Sequence, residues 1–388
     1  MRILQINKFF YHRGGADSHF LNLSEWLQSV GQQVSYLSTQ HPLNLPKVGQ
    51  SFWPPYLEFS DYHGAGSIGA KIRRMFGDKA TKKSLDYIIK SQQPQVAHLH
   101  NVYHQLSPRL IGWLKKAGIP VIVTLHDYYP FSPLYTFYAK GQLWDWRHRH
   151  YGRIIKQRAI KNSYLASCLA VMAHWLTRHY WQQVDYFICP SHFMAKVLSY
   201  YYPQAKYIVM PNAVDASHSK ISDKSDYFVF SGRIVSEKGL DWLLKLWRSL
   251  PDKKLYILGD GPERKRYQRY YQNLREITWL GQLKPAAARE IVAASKALLV
   301  PSQWYENCPL VVQEAIRDGV PVVASDLGGL PELLHSYSAG IVLPSNDQQA
   351  WRKVIQDFSL NKADIRENNL ITPQEYSDKI YKLYEKVV

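Results

Sequence analysis

Tyr305-Glu306-Asn307-Cys308-Pro309-Leu310-Val311-Val312-Gln313-Glu314-Ala315 is the stretch on which the reading of this 388-residue chain turns. It follows an apolar run, residues 297–301, with the character of a buried strand, and its second half has the character of a helix. Glu306 and Glu314 stand in an E-x7-E spacing, and seven intervening residues are about two helical turns. With Glu306 on the loop and Glu314 on the helix, both carboxylates lean towards one ligand. The first N–H groups of that helix lie between them without carbonyl partners and suit a phosphate. One carboxylate for sugar hydroxyls, one for ribose hydroxyls and backbone dipoles for phosphates are what a sugar diphosphate needs.

The same pattern of strand, glycine or polar turn and amphipathic helix recurs in both directions. In the first half, strands are expected at 2–7, 34–39, 96–100, 120–126 and 186–191. In the second half they are expected at 227–233, 254–259, 277–281, 297–302, 320–325 and 340–344. Apolar runs alternating with helical stretches are the signature of stacked βαβ units, so each half reads as a doubly wound parallel sheet. The fold class is α/β. Residues 1–206 form one domain, 207–371 the other, and 207–212 with the polar stretch to Asp226 link them. A last helix, 372–388, opens with Thr372 as N-cap and Pro373 in the first turn. It carries Tyr376, Ile380, Leu383 and Tyr384 as an apolar stripe that packs back on the first domain. Residues 42–67, rich in Pro, Gly and aromatics, are long for a connection and read as a functional loop.

Composition narrows the function classes. With 46% apolar and 20% charged residues the chain is a globular protein. No apolar run approaches the roughly 20 residues of a membrane span, and residues 1–10 read as a strand rather than a signal peptide. A cytoplasmic location is expected. Cys168, Cys189 and Cys308 show no metal spacing and read as reduced thiols. The net charge of +17 is concentrated. Lys71, Arg73, Arg74, Lys79, Lys82, Lys83 and Lys90 form one basic stretch. Arg147, Arg149, Arg153, Lys156, Arg158 and Lys161 form a second, among Trp144, Trp146, Tyr151 and Tyr164. Such mixtures suit an anionic membrane surface or are simply a solvated face. A peripheral position at the inner face of a membrane follows from the first reading.

Further motifs fall at expected strand ends, where open α/β sheets bind ligands. His12-Arg13-Gly14-Gly15-Ala16-Asp17 follows the first strand, with two glycines that permit close backbone approach. Thr124-Leu125-His126-Asp127 ends the fourth. Gly232-Arg233 and Lys238-Gly239 place a forked guanidinium and a point-charge ammonium five residues apart, a pair suited to a diphosphate. Gly259-Asp260-Gly261-Pro262 and Leu280-Gly281 end the next two strands. Each of these is also readable as a plain turn or a structural residue.

Taken in order, G-R-x4-K-G, G-D-G-P, W-L-G, E-x7-E and Ser325-Asp326-Leu327-Gly328-Gly329-Leu330-Pro331-Glu332 resemble the donor domain of the retaining family 4 glycosyltransferases of the GT-B fold. The Gly-Gly turn and the His-Asp pair match as well, so the resemblance covers nearly the whole chain. It implies two Rossmann-like domains facing a central cleft. It further implies that Arg233 and Lys238 grip the diphosphate, Glu314 binds the ribose, and Glu306 meets the transferred sugar. Backbone N–H groups of Asn307, Cys308, Pro309's neighbours Leu310 and Val311 touch sugar and phosphate, and Gly14, Gly15, Gly232, Asp260, Gly261 and Leu280 line the donor. His126 stands near the reacting sugar. The implied reaction retains configuration, uses no metal and no cofactor beyond the nucleotide diphosphate sugar as co-substrate, and passes the sugar to a glycan or lipid-linked acceptor. Where many relatives have Phe-Gly after the first glutamate this chain has Asn307-Cys308, which points to a different donor preference. A GT-B epimerase or phosphorylase is the enzyme alternative and a silent sugar-nucleotide binder another. A nucleic-acid-binding protein rests only on the pI of about 9.5, and no nucleic-acid partner is expected.

Overall fold

Runs such as Val121–Thr124 and Ala297–Val300 are apolar at every position but Thr124, and all their residues are buried. A strand buried on both faces belongs to a parallel sheet covered by helices. The computed structural model describes residues 1–46, 49–59, 65–214, 225–359 and 370–388 and contains two such sheets. The first comprises β1 (Arg2–Ile6), β2 (Gln33–Leu37), β3 (Val96–Leu99), β4 (Val121–Thr124), β7 (Tyr186–Cys189) and β8 (Tyr207–Val209), in the order β2-β1-β3-β4-β7-β8. A small antiparallel hairpin, β5 (Tyr138–Ala139) and β6 (Gln142–Leu143), stands apart. The second sheet comprises β9 (Tyr227–Ser231), β10 (Lys254–Leu258), β11 (Ile277–Gly281), β12 (Ala297–Val300), β13 (Val322–Ser325) and β14 (Gly340–Leu343). Its order is β11-β10-β9-β12-β13-β14, the 3-2-1-4-5-6 arrangement of a dinucleotide-binding fold. All pairings in both sheets are parallel. The chain is thus two Rossmann-like domains, and every strand expected from sequence is present.

One boundary moves. The expected linker at 207–212 begins as β8, paired with β7, so the first sheet runs past residue 206. Tyr-Ile-Val beside an apolar strand continues the sheet more favourably than it would dangle in water. The polar stretch from 215 to 224 lies outside the described residues, as do parts of the expected loop at 42–67. The last helix, Pro373–Val387, carries the capping box of Thr372 and Glu375. Its Tyr376, Ile380, Leu383 and Tyr384 pack with Ile3, Leu23, Leu27 and Val96, so the chain crosses back to cover its first domain.

Burial also revises the two basic stretches. Arg74 is buried, pairs with Asp78 at 2.7 Å and donates to the carbonyls of Pro55 and Gln105. Lys71 is buried too. Two of the first cluster's seven cations are therefore buried, and one of them, Arg74, holds loops together. In the second, Trp144 is buried with Leu134, Ala139 and Ile154, and Trp146 packs on Phe193 and Tyr200. A large ring next to arginines in sequence is equally able to fill a small core and accept a cation on its outer face, as Trp144 does for Arg153 at 4.1 Å.

Candidate functional site

Open α/β sheets bind ligands at the carboxyl ends of strands where the strand order reverses, which in the second sheet lies between β9 and β12. Backbone approaches there are too close for side chains. Gly259, at φ +120°, would place a Cβ 2.0 Å from the Gly232 carbonyl oxygen, and Gly261 would place one 2.2 Å from that of Ile234. These contacts, with Gly259 N–H donating to Gly281 at 2.8 Å, bind the ends of β9, β10 and β11 into one rim. The Asp260 carboxylate accepts from Gly261 N–H at 2.7 Å and faces Arg264 at 3.5 Å. Leu280 is half-buried.

On this rim Lys238 and Glu306 meet. A short 3-10 turn, Ser236–Lys238, carries the lysine, and Gly239 in the left-handed region turns the chain into the helix Leu240–Trp247. Glu306 is 3% exposed. It accepts from Lys238 Nζ at 2.7 Å and from Ser302 Oγ at 2.6 Å. Trp304 lies 5.1 Å from the same ammonium. The Glu306 backbone is pinned by a bridge to Gly328 and by the Gly329 N–H at 2.7 Å. A buried carboxylate held by a cation, a hydroxyl and a fixed backbone is positioned rather than free. Arg233 is exposed at the mouth. Glu314, on the helix Leu310–Arg317, is exposed as well, so the two glutamates, one on the loop and one on the helix, differ in burial.

The first domain closes on this rim with its own glycine turn. Gly15 begins the helix Gly15–Ser29, and a Cβ there would sit 3.7 Å from Leu310 Cδ1, the first residue of the helix Leu310–Arg317. Two helix N-termini, one from each domain, therefore meet, and both carry positive partial charge. Gly14 is extended, and a Cβ on it would meet nothing within 4 Å. Lys8, just beyond β1, adds a further cation. Burial pushes its pKa down to about 8, and Asp127 and Asp17 oppose the shift while Arg13 and Arg233 add to it. Tyr135 senses Glu237, Arg233, Asp127 and Arg13, which brings the charged groups of both domains to one cleft.

Asn307 and Cys308 stand where the two domains touch. The Asn307 side chain spans the domains, donating from Nδ2 to the Leu125 carbonyl at 2.6 Å and accepting from Ser191 Oγ at 2.7 Å. Cys308 is a buried thiol whose pKa burial raises to about 12, and its carbonyl accepts from Asn212 Nδ2 at 2.9 Å. The Asn307 side chain is thus committed to the contact between domains, and the Cys308 side chain is buried. Glu332 adds to the seam by accepting from His192 N–H at 2.7 Å. The backbone of Pro309, Leu310 and Val311 remains at the helix start.

Through Asn307, the end of β4 is drawn to the glutamate loop, and His126 comes with it. Its Nε2 lies 2.9 Å from His100 Nδ1, and His100 Nε2 lies 2.9 Å from Gln5 Oε1. Beneath are His19, 3.2 Å from the Tyr376 hydroxyl, and His98, between Thr124 and Tyr384 at 2.7 Å each. Ligand atoms of His19, His100 and His126 lie within 4.8 Å of one another, close enough to hold a transition metal. Each of these rings already has a hydrogen-bond partner within the network. Burial pushes the His19 pKa down to about 4 and that of His98 to about 3, and holds His100 and His126 well below the usual 6.5. His126 is therefore a neutral hydrogen-bonding group at neutral pH.

This network has a pH signature. Below 6.5 the unfolded chain takes up protons that the folded imidazoles refuse, so stability falls as pH drops from about 6.5 towards 4 and 3. Thermal midpoints measured across that range should fall, and His98→Gln should flatten the slope. An unchanged slope in that variant would contradict the buried neutral state.

Sequence reasoning missed Ser302, Lys8 and Ser191. Ser302 and Lys8 follow strand ends directly, a signal that was available. Ser191 caps the helix His192–Tyr201 through Met194 N–H, and nothing local foretells its second bond across the cleft.

Comparisons with known proteins agree with this geometry. The description "Glycosyltransferase Family 4" matches residues 13–218 and "Glycosyl transferases group 1" matches residues 214–374. The phosphatidyl-myo-inositol mannosyltransferase of Mycobacterium leprae is 26% identical over 361 residues, 87% of this chain and 81% of that one. Among solved structures, sucrose-phosphate synthase from Thermosynechococcus elongatus superposes with a TM-score of 0.71 at 16% identity, covering 100% of this chain and 98% of that one. Anabaena HepE in complex with UDP-glucose gives 0.61 at 13% identity over 100% and 98%. With the first description alone spanning more than half of its length, the chain belongs to glycosyltransferase family 4 and is a glycosyltransferase of the GT-B fold.

Proposed function

We propose that this enzyme transfers a sugar, with retention of configuration and without a metal, from a nucleoside diphosphate sugar to a glycan or lipid-linked acceptor. The observation that carries the reading is the Lys238–Glu306 pair at the second sheet's switch point, beside the meeting of two helix N-termini. The diphosphate sits between those N-termini, gripped by Arg233 and Lys238, with Gly14 leaving room for it. Glu314 holds the ribose, Glu306 the sugar hydroxyls, and neutral His126 donates or accepts a hydrogen bond on the acceptor side. As the glycosidic bond to phosphate breaks, negative charge grows on the leaving oxygen and positive charge on the sugar ring. Lys238, Arg233 and the helix dipoles stabilise the first without reorganising. The acceptor hydroxyl attacks the face that the phosphate leaves, passing its proton to the phosphate oxygen. The separation of roles between buried Glu306 and exposed Glu314 supports binding duties rather than a glycosidase acid–base pair.

The relatives support this choice by name: one is a mannosyltransferase of phosphatidyl-myo-inositol, and HepE was solved with UDP and with UDP-glucose. A thermal-shift screen of UDP, GDP, ADP, CMP and their sugars tests the donor class, since a ligand of the native state alone raises the midpoint. One nucleotide family should stand out. NMR of the product made in the presence of chelator should show the donor's anomeric configuration. Absence of any nucleotide shift, inversion at the anomeric carbon or conversion of the donor without acceptor would refute it.

A further inference from the structure

The helix Tyr164–Thr177 is built inside out. Its protein-facing side is Ala166, Ser167, Ala170, Ala173, His174 and Thr177, all small or polar. Its water-facing side carries Tyr164 at 51% exposure, Leu165 at 54%, Met172 at 41%, Trp175 at 54% and Leu176 at 43%. Cys168, also exposed, fills the gap in that stripe. None of the fourteen positions is charged. An ordinary surface helix turns such side chains towards the core, and a contiguous apolar patch left in water marks an interaction surface.

The surroundings identify what it meets. From Trp146 to Val184 the chain has no Asp or Glu. Arg153, Lys156, Arg158 and Lys161 are exposed just before the helix, and Arg178 follows it directly. The helix Tyr151–Lys156 packs against it, with the Tyr151 hydroxyl 2.7 Å from His174 Nδ1. Arg147, Arg149 and Arg153, with Tyr200 and Tyr201, line an open cleft of about 930 Å³ at the start of the helix Tyr151–Lys156. An apolar stripe bearing Trp and Tyr within a mainly basic rim, where Asp145 pairs with Arg147 at 2.7 Å, matches the acyl–headgroup boundary of an anionic bilayer. A second copy of the chain fits poorly, because a two-fold interface would press one basic rim against another.

We propose that the helix Tyr164–Thr177 seats this protein on an anionic bilayer, its stripe among the acyl chains and its basic neighbours among lipid phosphates. This goes beyond the transfer reaction and does not depend on the acceptor, and it is tested without catalysis. The full chain is floated with phosphatidylcholine vesicles and with vesicles containing phosphatidylglycerol, at low and high salt. The wild type should float with the anionic vesicles at low salt. The double variant Leu165→Glu/Trp175→Glu should lower the bound fraction on the order of tenfold, with an unchanged thermal midpoint because both side chains face water. Flotation of the double variant equal to wild type overturns the proposal. So does failure of the wild type to float, or a wild-type dimer that the same substitutions dissociate and that ignores vesicles.

Discussion

Lys238→Ala lowers kcat by roughly 10²–10³, the usual effect of deleting one preorganised donor from a site of developing charge. Lys238 holds Glu306 at 2.7 Å, and on the proposed reading it also meets the diphosphate. Its loss has two consequences. The leaving diphosphate loses a charge-assisted donor, and Glu306, 3% exposed, keeps only Ser302 as a side-chain partner. Breaking a fully buried pair costs about 3–5 kcal/mol. Here 27% of the Lys238 side chain meets water, so the stability loss stays below that range and the protein remains folded. The kinetic loss should appear in kcat and kcat/KM together, the pattern of an interaction made mainly in the transition state. Steady-state kinetics beside a thermal melt separate the two effects. Near-normal turnover in a folded Lys238→Ala protein would remove this residue from the mechanism.

Gly239→Ala is expected to be the most damaging small substitution in the rim. Gly239 stands at φ +75°, and an added Cβ would lie 1.8 Å from the Pro301 carbonyl oxygen. The left-handed conformation alone costs about 1–3 kcal/mol for a residue with a side chain. The overlap is with backbone at the end of β12, which has no rotamer to relieve it, so the turn carrying Lys238 must move away from Glu306. Both the melting temperature and the turnover should fall. Gly14→Ala is the contrast. Its backbone is extended, the space around it is open, and the helix-start penalty is about 1 kcal/mol or less. That variant should melt close to wild type while losing affinity for the nucleotide, because the proposed reading seats the diphosphate in that open space. A Gly239→Ala protein as stable and active as wild type would show that the rim is not rigid.

The series of strand ends was legible because the signals are local. A buried parallel strand needs an unbroken apolar run, a close backbone approach needs glycine, and a diphosphate needs cations near helix starts. Glu306, Lys238, Arg233, the two glycine turns and the capping box at Thr372 are all of this kind. The fate of Asn307 was not legible. The same amide could face a sugar or a carbonyl, and only the approach of Leu125 and Ser191 from the other domain decides between them. The basic stretches show the same limit in reverse, since Arg74 and Trp144 look like surface and are core.

The sequence by itself therefore determined the two doubly wound sheets and the glycine and polar turns at their strand ends, since each follows from periodicity and turn chemistry within a few residues. Only the tertiary structure decided which side chains meet across the cleft and which face of a helix meets water. Lys8 opposite Arg233, the stacked histidines beneath His126 and the outward stripe of Tyr164–Thr177 depend on neighbours tens to hundreds of residues away. The burial of a charged or polar side chain is a property of that arrangement, and no local pattern encodes it.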